Sequence, residues 1–233
     1  MQNLSTIDQV YVINLKNRPD RLISWEKLLL NLPTLKNKLQ FFTAVDGKAL
    51  INETNLRNGE LGCSMSHIAI WNEALTKNYR FILVLEDDVL FNEEFEIKLD
   101  DILQELNQDF DWLYLFNLYD YRPAEPFSNN LEKIIASLGT QGYVLNIKAI
   151  DRILPFVKEF NFPIDVVMGH MSFLSKVYRP IRVFLEHDEL SVSDIANELK
   201  FETPPIVSPI AIQKSKVTIL TKAKEYFKSI KKI

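Results

Sequence analysis

Short apolar runs alternate along the chain with longer stretches in which apolar residues recur every three or four positions. Five runs have the length and composition of strands, and they cover 10–15, 41–45, 81–85, 112–116 and 142–145. The stripes between them predict helices, and their apolar residues are Leu22, Trp25 and Leu29; Ile68, Trp71 and Leu75; Phe95, Leu99, Ile102 and Leu106; and Ile150, Ile153, Leu154 and Val157. Ser64 or Ser66 is the expected start of the second helix. This alternation predicts an α/β fold whose central sheet is mostly parallel and flanked by helices.

The end of the chain has a different character. Residues 214–233 contain seven lysines and one acid, a charge of +6, so the rest of a chain of net charge −4 carries −10. The apolar residues of this stretch follow helical spacing and are Val217, Leu220, Ala223, Phe227 and Ile230. Three prolines within 204–209 predict a linker, which divides the chain into a domain of residues 1–203 and a basic amphipathic helical tail within 204–233. The tail either binds an anionic membrane surface or packs on the domain with its lysines in water.

Composition narrows the class of protein. With 233 residues, 47% hydrophobic and 25% charged, the chain is long enough to bury a core. The net negative charge argues against a general nucleic-acid binder, and no phosphate-binding glycine loop of the P-loop or dinucleotide type is present. The single cysteine, Cys63, excludes internal disulfides and a zinc site built from cysteines alone. No signal peptide or bilayer-length apolar run is apparent, so we expect a cytoplasmic protein, held peripherally at the inner face of the cytoplasmic membrane if the tail binds lipid.

Three acids, Glu86, Asp87 and Asp88, directly follow the apolar run 81–85. The carboxyl end of a central strand is where open α/β sheets bind ligands. Strand alternation would put Glu86 and Asp88 on one side and Asp87 on the other. Carboxylates at this position favour Mg²⁺ or Mn²⁺, although a solvated acidic turn gives the same pattern. Phosphohydrolases and nucleotidyltransferases also carry acids after a strand, so the cluster alone does not decide the class of enzyme.

Seven segments together extend this interpretation. In order they are VYVINLKNRPDR (10–21), FFTAVDG (41–47), GELGCSMSHIAIW (59–71), FILVLEDDV (81–89), LGTQGYVL (138–145), PIDVVMG (163–169) and SVSDI (191–195). Over roughly residues 8–195 the chain resembles glycosyltransferase family 25, which includes lipooligosaccharide galactosyltransferases and collagen galactosyltransferases. The resemblance implies a GT-A-like nucleotide-sugar-binding fold, a UDP-sugar donor, Mn²⁺ or Mg²⁺, and transfer with inversion. It also makes Glu86-Asp87-Asp88 a version of the DxD motif with Glu in the first place.

The resemblance further implies roles for individual residues. Asp88 is the first candidate metal ligand, with Asp87, His187 and Asp194 as further ligands. The candidate donor contacts are Asn14, Arg18, Arg21, Asp46, Gly47, Glu60, His67, Glu86, Asp87, Thr140 and Tyr143, the last two near the sugar. Asp165 is the candidate general base, because an inverting transferase needs one carboxylate to accept the acceptor's proton. Purely structural alternatives stay open: caps and turns for the acids, surface positions for the arginines, and a hydrogen-bonded core position for His67.

The leading hypothesis is therefore a metal-dependent inverting glycosyltransferase that moves a hexose, galactose first, to a lipooligosaccharide, lipopolysaccharide or related acceptor. The acceptor would be lipid-linked, and the proline-bearing segment 119–130 could recognise it or cover the site. The alternatives are transfer of another UDP-hexose such as glucose or an N-acetylhexosamine, a nucleotide-sugar hydrolase or nucleotidyltransferase, and a sugar-binding relative without turnover.

Overall fold

A computed structural model describes residues 4–91, 94–116, 119–159, 161–182 and 185–187. The strands are β1 (Gln9–Asn14), β2 (Leu39–Thr43), β3 (Phe81–Glu86), β4 (Val89–Leu90), β5 (Trp112–Tyr114), β6 (Tyr119–Arg122), β7 (Glu125–Pro126), β8 (Leu131–Lys133), β9 (Ala136–Leu138), β10 (Gly142–Asn146), β11 (Val177–Pro180) and β12 (Glu186–His187). The helices are α1 (Pro19–Leu28), α2 (Pro33–Lys38), α3 (Asn58–Thr76), α4 (Phe95–Leu106), α5 (Ile150–Val157) and α6 (Ile164–Met171). Asp194, the proline linker and the basic tail lie outside the described residues.

The described strands form an eight-stranded sheet in the order β2-β1-β3-β10-β5-β11-β8-β7, with β4–β12 and β6–β9 as separate pairs. The pairs β1–β2, β1–β3 and β5–β11 are parallel. The other four pairs of the large sheet are antiparallel, so the expectation of a mostly parallel sheet is not confirmed and the sheet is mixed. The apolar pattern identified β10 as a strand but contains no information on its direction.

The sheet separates two groups of helices, as alternation along the strands requires. Val10 and Leu83 point into one core cluster, which includes apolar residues of α1, α2 and α4. Tyr11 and Ile82 point into the other, which includes residues of α3, α5 and α6. Each large apolar side chain that is fully buried contributes about 1.5–3 kcal/mol relative to exposure. The predicted α/β architecture, with helices on both faces of a central sheet, is thereby confirmed.

Helix α3 begins at Asn58, so the prediction that Ser64 or Ser66 starts it is wrong. The Glu60 carboxylate accepts a hydrogen bond from the Arg57 backbone N–H at 2.9 Å and closes the first turn. Ser66 lies inside the helix instead, where its hydroxyl donates to the Gly62 carbonyl at 2.7 Å and accepts from the Val45 N–H at 2.9 Å.

Two glycines bring α3 against the loop that follows β2. A Cβ on Gly47 would lie 1.7 Å from the Asn58 carbonyl oxygen, and one on Gly62 would lie 2.5 Å from the Val45 oxygen. Only glycine permits these two backbones to approach so closely. The contact fixes the start of α3 beside the carboxyl ends of the parallel strands.

Within the described ranges no helix has both the length and the apolar content needed to cross a membrane.

Candidate functional site

The ends of β1, β2 and β3 meet at one edge of the sheet because these strands are parallel. Asn14 is the last residue of β1, and Glu86 is the last residue of β3. Asp87 and Asp88 form the turn that follows. The acidic cluster therefore lies at the carboxyl edge, where α/β sheets bind ligands.

Asp87 is held by both β1 and α1. One carboxylate oxygen accepts a hydrogen bond from Asn14 Nδ2 at 2.6 Å, and the other is paired with Arg21 Nη1. The side chains of Arg21 and Asp87 are 10% and 7% exposed, so the ion pair is nearly buried. Burial raises the pKa of Asp87, although Arg21 and Asn14 act in the opposite direction. Asp87 thus has partners on both oxygens without any ligand.

One turn after Arg21, Trp25 also contacts this turn. Its Nε1–H donates to the Asp87 backbone carbonyl at 3.1 Å, and its ring is buried in the core. Helix α1 therefore fixes both the side chain and the backbone of Asp87. The sequence pattern predicted Trp25 only as a core residue. Its position four residues after Arg21 indicates that the two side chains share one face of α1.

Asp88 lies beside the same arginine, with its Oδ2 3.6 Å from Arg21 Nη1 and its side chain 10% exposed. Strand β4 follows directly and pairs with β12, so that the backbone of His187 lies opposite that of Val89. The chain thus brings the His187 backbone close to Asp88, as a shared ligand set requires. Carboxylate oxygens here fit a hard divalent cation such as Mn²⁺ or Mg²⁺. Asp87 already has a partner on each of its oxygens, so Asp88 is kept as the first candidate ligand.

Glu86 faces a different group of residues. Its Oε1 accepts from Thr140 Oγ1 at 3.1 Å and lies 3.8 Å from Nε2 of His67, a residue of α3. Arg21 contacts Asp88, not Glu86, so the expectation that Glu86 and Asp88 share one side is wrong. The reason is that β3 ends at Glu86, and strand alternation does not extend into the turn at 87–88.

His67 and Tyr143 form a buried polar unit behind Glu86. His67 Nδ1 lies 2.8 Å from the Tyr143 hydroxyl, which also accepts from Trp71 Nε1 at 2.9 Å. All three rings are completely buried. Tyr143 consequently offers no surface on which a donor sugar could lie, and its contacts support His67 instead. Trp71, one turn after His67, was predicted only as a core residue.

Cys63 lies one helical turn before His67 on α3. One potential ligand atom from each of Cys63, His67 and Glu86 lies within 4.8 Å of the others. Burial raises the pKa of the Cys63 thiol, and the nearby acids Glu86 and Asp165 raise it further. This part of the site is therefore rich in negative charge.

Asp165 lies in the first turn of α6, and its Oδ1 accepts from the Val166 N–H at 2.8 Å. Burial, followed by the charges of Glu86 and Glu60, raises its pKa. Asp165 in turn raises the pKa of Tyr121, after the larger effect of burial. The structure thus brings the candidate base into the neighbourhood of Glu86.

An aromatic pair adjoins Asp165. Tyr119 and Tyr121 of β6 are 58% and 41% exposed, and their rings meet edge to face at 5.4 Å. Exposed aromatic rings of this kind provide flat apolar faces with a polar hydroxyl tip. The pair belongs to the segment that sequence reasoning connected with the acceptor.

The remaining candidates make local contacts. Arg18 pairs with Asp20 at 2.9 Å, and Asp46 accepts from the Lys48 N–H at 3.0 Å. Gly47 packs against α3, and Glu60 closes the first turn of that helix. These contacts agree with purely structural roles in turns and helix caps. Donor binding by these residues stays a prediction.

Fold and site together define an α/β protein with an acidic cluster at the carboxyl edge of its central sheet. Residues 7–138, more than half of the chain, match the sequence model of glycosyltransferase family 25, described as an LPS biosynthesis protein family. The chain belongs to this family. The matched range includes Asn14, Arg21 and the acids 86–88, whereas Asp165 lies beyond it.

Two relatives show the range of the family. Procollagen galactosyltransferase 1 of Danio rerio is 30% identical over 211 residues, 77% of this chain and 33% of its own length. A probable inactive glycosyltransferase 25 family member 3 of Bos taurus is 28% identical over 172 residues, 63% of this chain and 28% of its own length. The chain spans about a third of the length of the curated relatives it matches. Among solved structures, mannose-1-phosphate geranyltransferase from Thermus thermophilus covers 75% of this chain and 73% of its own, at 11% identity and a TM-score of 0.43.

Proposed function

We propose that the protein is a metal-dependent inverting glycosyltransferase that moves a hexose, galactose from UDP-galactose, to a saccharide acceptor. The observation that carries the proposal is the acidic cluster 86–88 at the carboxyl edge of a family 25 fold. Galactose is favoured because a relative is named procollagen galactosyltransferase. A lipopolysaccharide-type acceptor is favoured by the family description, and the acceptor would be a lipid-linked glycan.

The donor diphosphate would bind beside Asp88. Asp88 would hold Mn²⁺ or Mg²⁺, with Asp87, His187 and Asp194 as further ligands, and the cation would supply Lewis-acid stabilisation of the departing diphosphate. Arg21 lies beside both aspartates, so its positive charge offsets the repulsion between two neighbouring carboxylates that are nearly buried. The donor contacts named above stay part of this proposal, except that the buried His67 and Tyr143 would act indirectly, from behind Glu86.

Asp165 would be the general base. In a single displacement the acceptor hydroxyl oxygen bonds to the anomeric carbon while the carbon–oxygen bond to UDP breaks, and UDP leaves with that electron pair. Asp165 takes the hydroxyl proton. Its raised pKa makes the ionised carboxylate a stronger base than an exposed aspartate.

The acceptor would approach over Tyr119 and Tyr121, because both rings are exposed. Tyr121 lies close enough to Asp165 for the charge of Asp165 to act on it, and Tyr119 packs against Tyr121. A pyranose can place its apolar face on such a ring while its hydroxyls reach polar neighbours. The basic tail, 214–233, would hold the enzyme at an anionic membrane surface on the cytoplasmic side, where a lipid-linked acceptor is accessible.

Transfer of radiolabelled galactose from UDP-galactose to a lipooligosaccharide core, with Mn²⁺, tests the proposal. Asp88→Asn should lose transfer while keeping the wild-type melting temperature. Asp101→Asn is the matched control, since Asp101 is exposed on α4 and has no part in the proposed site. Full transfer by Asp88→Asn would remove the metal assignment.

Two alternatives have distinct outcomes in the same assay. Release of free galactose that no acceptor stimulates would identify a nucleotide-sugar hydrolase. Turnover could also be absent altogether, which the probable inactive relative makes a specific candidate. Thermal stabilisation by UDP-galactose without transfer or hydrolysis would identify a binding protein.

A further inference from the structure

His67 has an unusual position for a histidine that serves only packing. Its side chain is completely buried, and Nε2 has no hydrogen-bond partner within the described part of the chain. A buried polar atom left in this way costs about 1–3 kcal/mol. The atom lies 3.8 Å from Glu86 Oε1, and Cys63 lies one turn earlier on the same helix. The unpaired nitrogen therefore faces two groups that can bind a metal.

The spacing fits a small cation. Cys63 and His67 are four residues apart, so their side chains share one face of α3. The potential ligand atoms of Cys63, His67 and Glu86 lie within 4.8 Å of one another. Zinc bonds to sulfur, imidazole nitrogen and carboxylate oxygen are about 2.0–2.3 Å long, which places tetrahedral ligands about 3.3–3.8 Å apart. A contraction of about 1 Å, within the reach of side-chain rotation, would complete the site.

The contacts behind His67 suit a metal ligand. A metal-bound histidine usually uses its second ring nitrogen for a hydrogen bond that fixes the ring. Here Nδ1 lies 2.8 Å from the Tyr143 hydroxyl, whose oxygen also accepts from Trp71. With Nδ1–H as the donor to Tyr143, the lone pair of Nε2 points toward Cys63 and Glu86.

The surrounding charge also favours a cation. Glu86, Asp165 and Glu60 all lie close enough to Cys63 to act on it electrostatically. Arg21, the cation near the acidic cluster, contacts Asp87 and Asp88 on the other side of the turn. A divalent cation at Cys63 would offset the repulsion among these acids.

We propose that Cys63, His67 and Glu86 form a binding site for a borderline-soft divalent cation of the zinc class. This site is separate from the oxygen-ligand site at Asp88. A thiolate and an imidazole select zinc, cobalt or similar ions over magnesium and manganese. Three protein ligands leave a fourth position for water or substrate, the arrangement of zinc sites that take part in chemistry. The inference does not depend on the proposed galactosyl transfer.

Cobalt titration of the full chain, without donor or acceptor, tests the site directly. Co²⁺ bound to a thiolate gives a sulfur-to-metal charge-transfer band in the near ultraviolet, and Cys63 is the chain's only cysteine. We expect the band in the wild-type protein at one cobalt per chain, its loss on adding Zn²⁺, and its persistence in excess Mg²⁺. Tyr143→Phe should weaken cobalt binding by about 10- to 100-fold, because it releases the ring of His67.

Two variants separate this site from the one at Asp88. Glu86→Gln, which preserves shape, should weaken cobalt binding and reduce the band, whereas Asp88→Asn should keep the band. Cobalt binding without a charge-transfer band in the wild-type protein, or no cobalt binding, would overturn the proposal. Loss of the band in a folded Asp88→Asn protein would overturn the separation of the two sites. The cobalt titration uses neither donor nor acceptor, so these outcomes can be measured even if the galactosyl-transfer assay fails.

Discussion

Replacing Arg21 by methionine should destabilise the protein strongly, because it leaves Asp87 as an unpaired charge. Both side chains are at most 10% exposed, so water cannot solvate the remaining carboxylate well. Removing one partner of a buried ion pair typically costs about 3–5 kcal/mol. For a domain of this size each kcal/mol lowers Tm by about 2–4 °C. The expected loss is therefore about 6–20 °C, measured by differential scanning fluorimetry or circular dichroism.

The stability deficit of Arg21→Met should depend on pH in a definite direction. Arg21 lowers the pKa of Asp87, and burial, the larger effect, raises it. Without Arg21 the pKa of Asp87 must rise further above its value in the unfolded chain. A group whose pKa is higher in the folded state binds extra protons there, so folding stability falls as pH rises through that range. The deficit of Arg21→Met against wild type should consequently shrink as the solution is acidified and Asp87 becomes neutral.

Arg80→Met is the matched control. The side chain of Arg80 is exposed, so its replacement should change Tm little. An Arg21→Met protein that melts within about 2 °C of wild type, less than the shift expected for 1 kcal/mol, or whose deficit stays constant between neutral and acidic pH, would refute the reasoning about Asp87.

Two further changes probe the helix contacts and the candidate base. Gly62→Ala should lower the free energy of unfolding by about 1–3 kcal/mol, because the added carbon would lie 2.5 Å from the Val45 oxygen. The cost of this overpacking exceeds the roughly 1 kcal/mol by which alanine is favoured over glycine inside a helix. Urea unfolding measures this, with exposed Asn72→Ala on the same helix as control, and equal midpoints would contradict it. Asp165→Asn should lower kcat about 10²- to 10⁴-fold with little change in the KM for the donor, since an amide oxygen can still accept from the Val166 N–H. In the wild-type protein kcat should fall as pH is lowered through the raised pKa of Asp165, and an acid limb at the pKa of an ordinary aspartate would argue against this base.

The sequence predicted the central strands well because fully buried strands are continuously apolar. The run 81–85 became β3 (Phe81–Glu86), and 142–145 became β10 (Gly142–Asn146). The direction of β10 could not be predicted, since an apolar run has the same pattern in either direction. The start of α3 was missed because Glu60 caps the helix through the Arg57 backbone, whereas serine was the expected capping residue.

The candidate site could be predicted only in part from the sequence. Its place at the end of β3 followed from the acids after a buried strand, and family membership is confirmed. Trp25 and Trp71 were assigned to the core, and they are buried there, but each also donates an indole hydrogen bond within the site. Composition cannot distinguish these two uses of tryptophan. The spacing of four residues, from Arg21 to Trp25 and from His67 to Trp71, was the only available signal.

The three acids of the cluster have different partners, and this division assigns each a separate experimental signature. Asp87 contacts Arg21, Asn14 and, through its backbone, Trp25, so its loss should appear first in stability. Glu86 faces Thr140 and His67, so its loss should appear in binding on the α3 side. Asp88 has the longer pair with Arg21 and adjoins the strand that pairs with β12, so its loss should appear in transfer. A motif that looks like one unit in the sequence thus consists of three carboxylates with different surroundings, because the strand ends inside it.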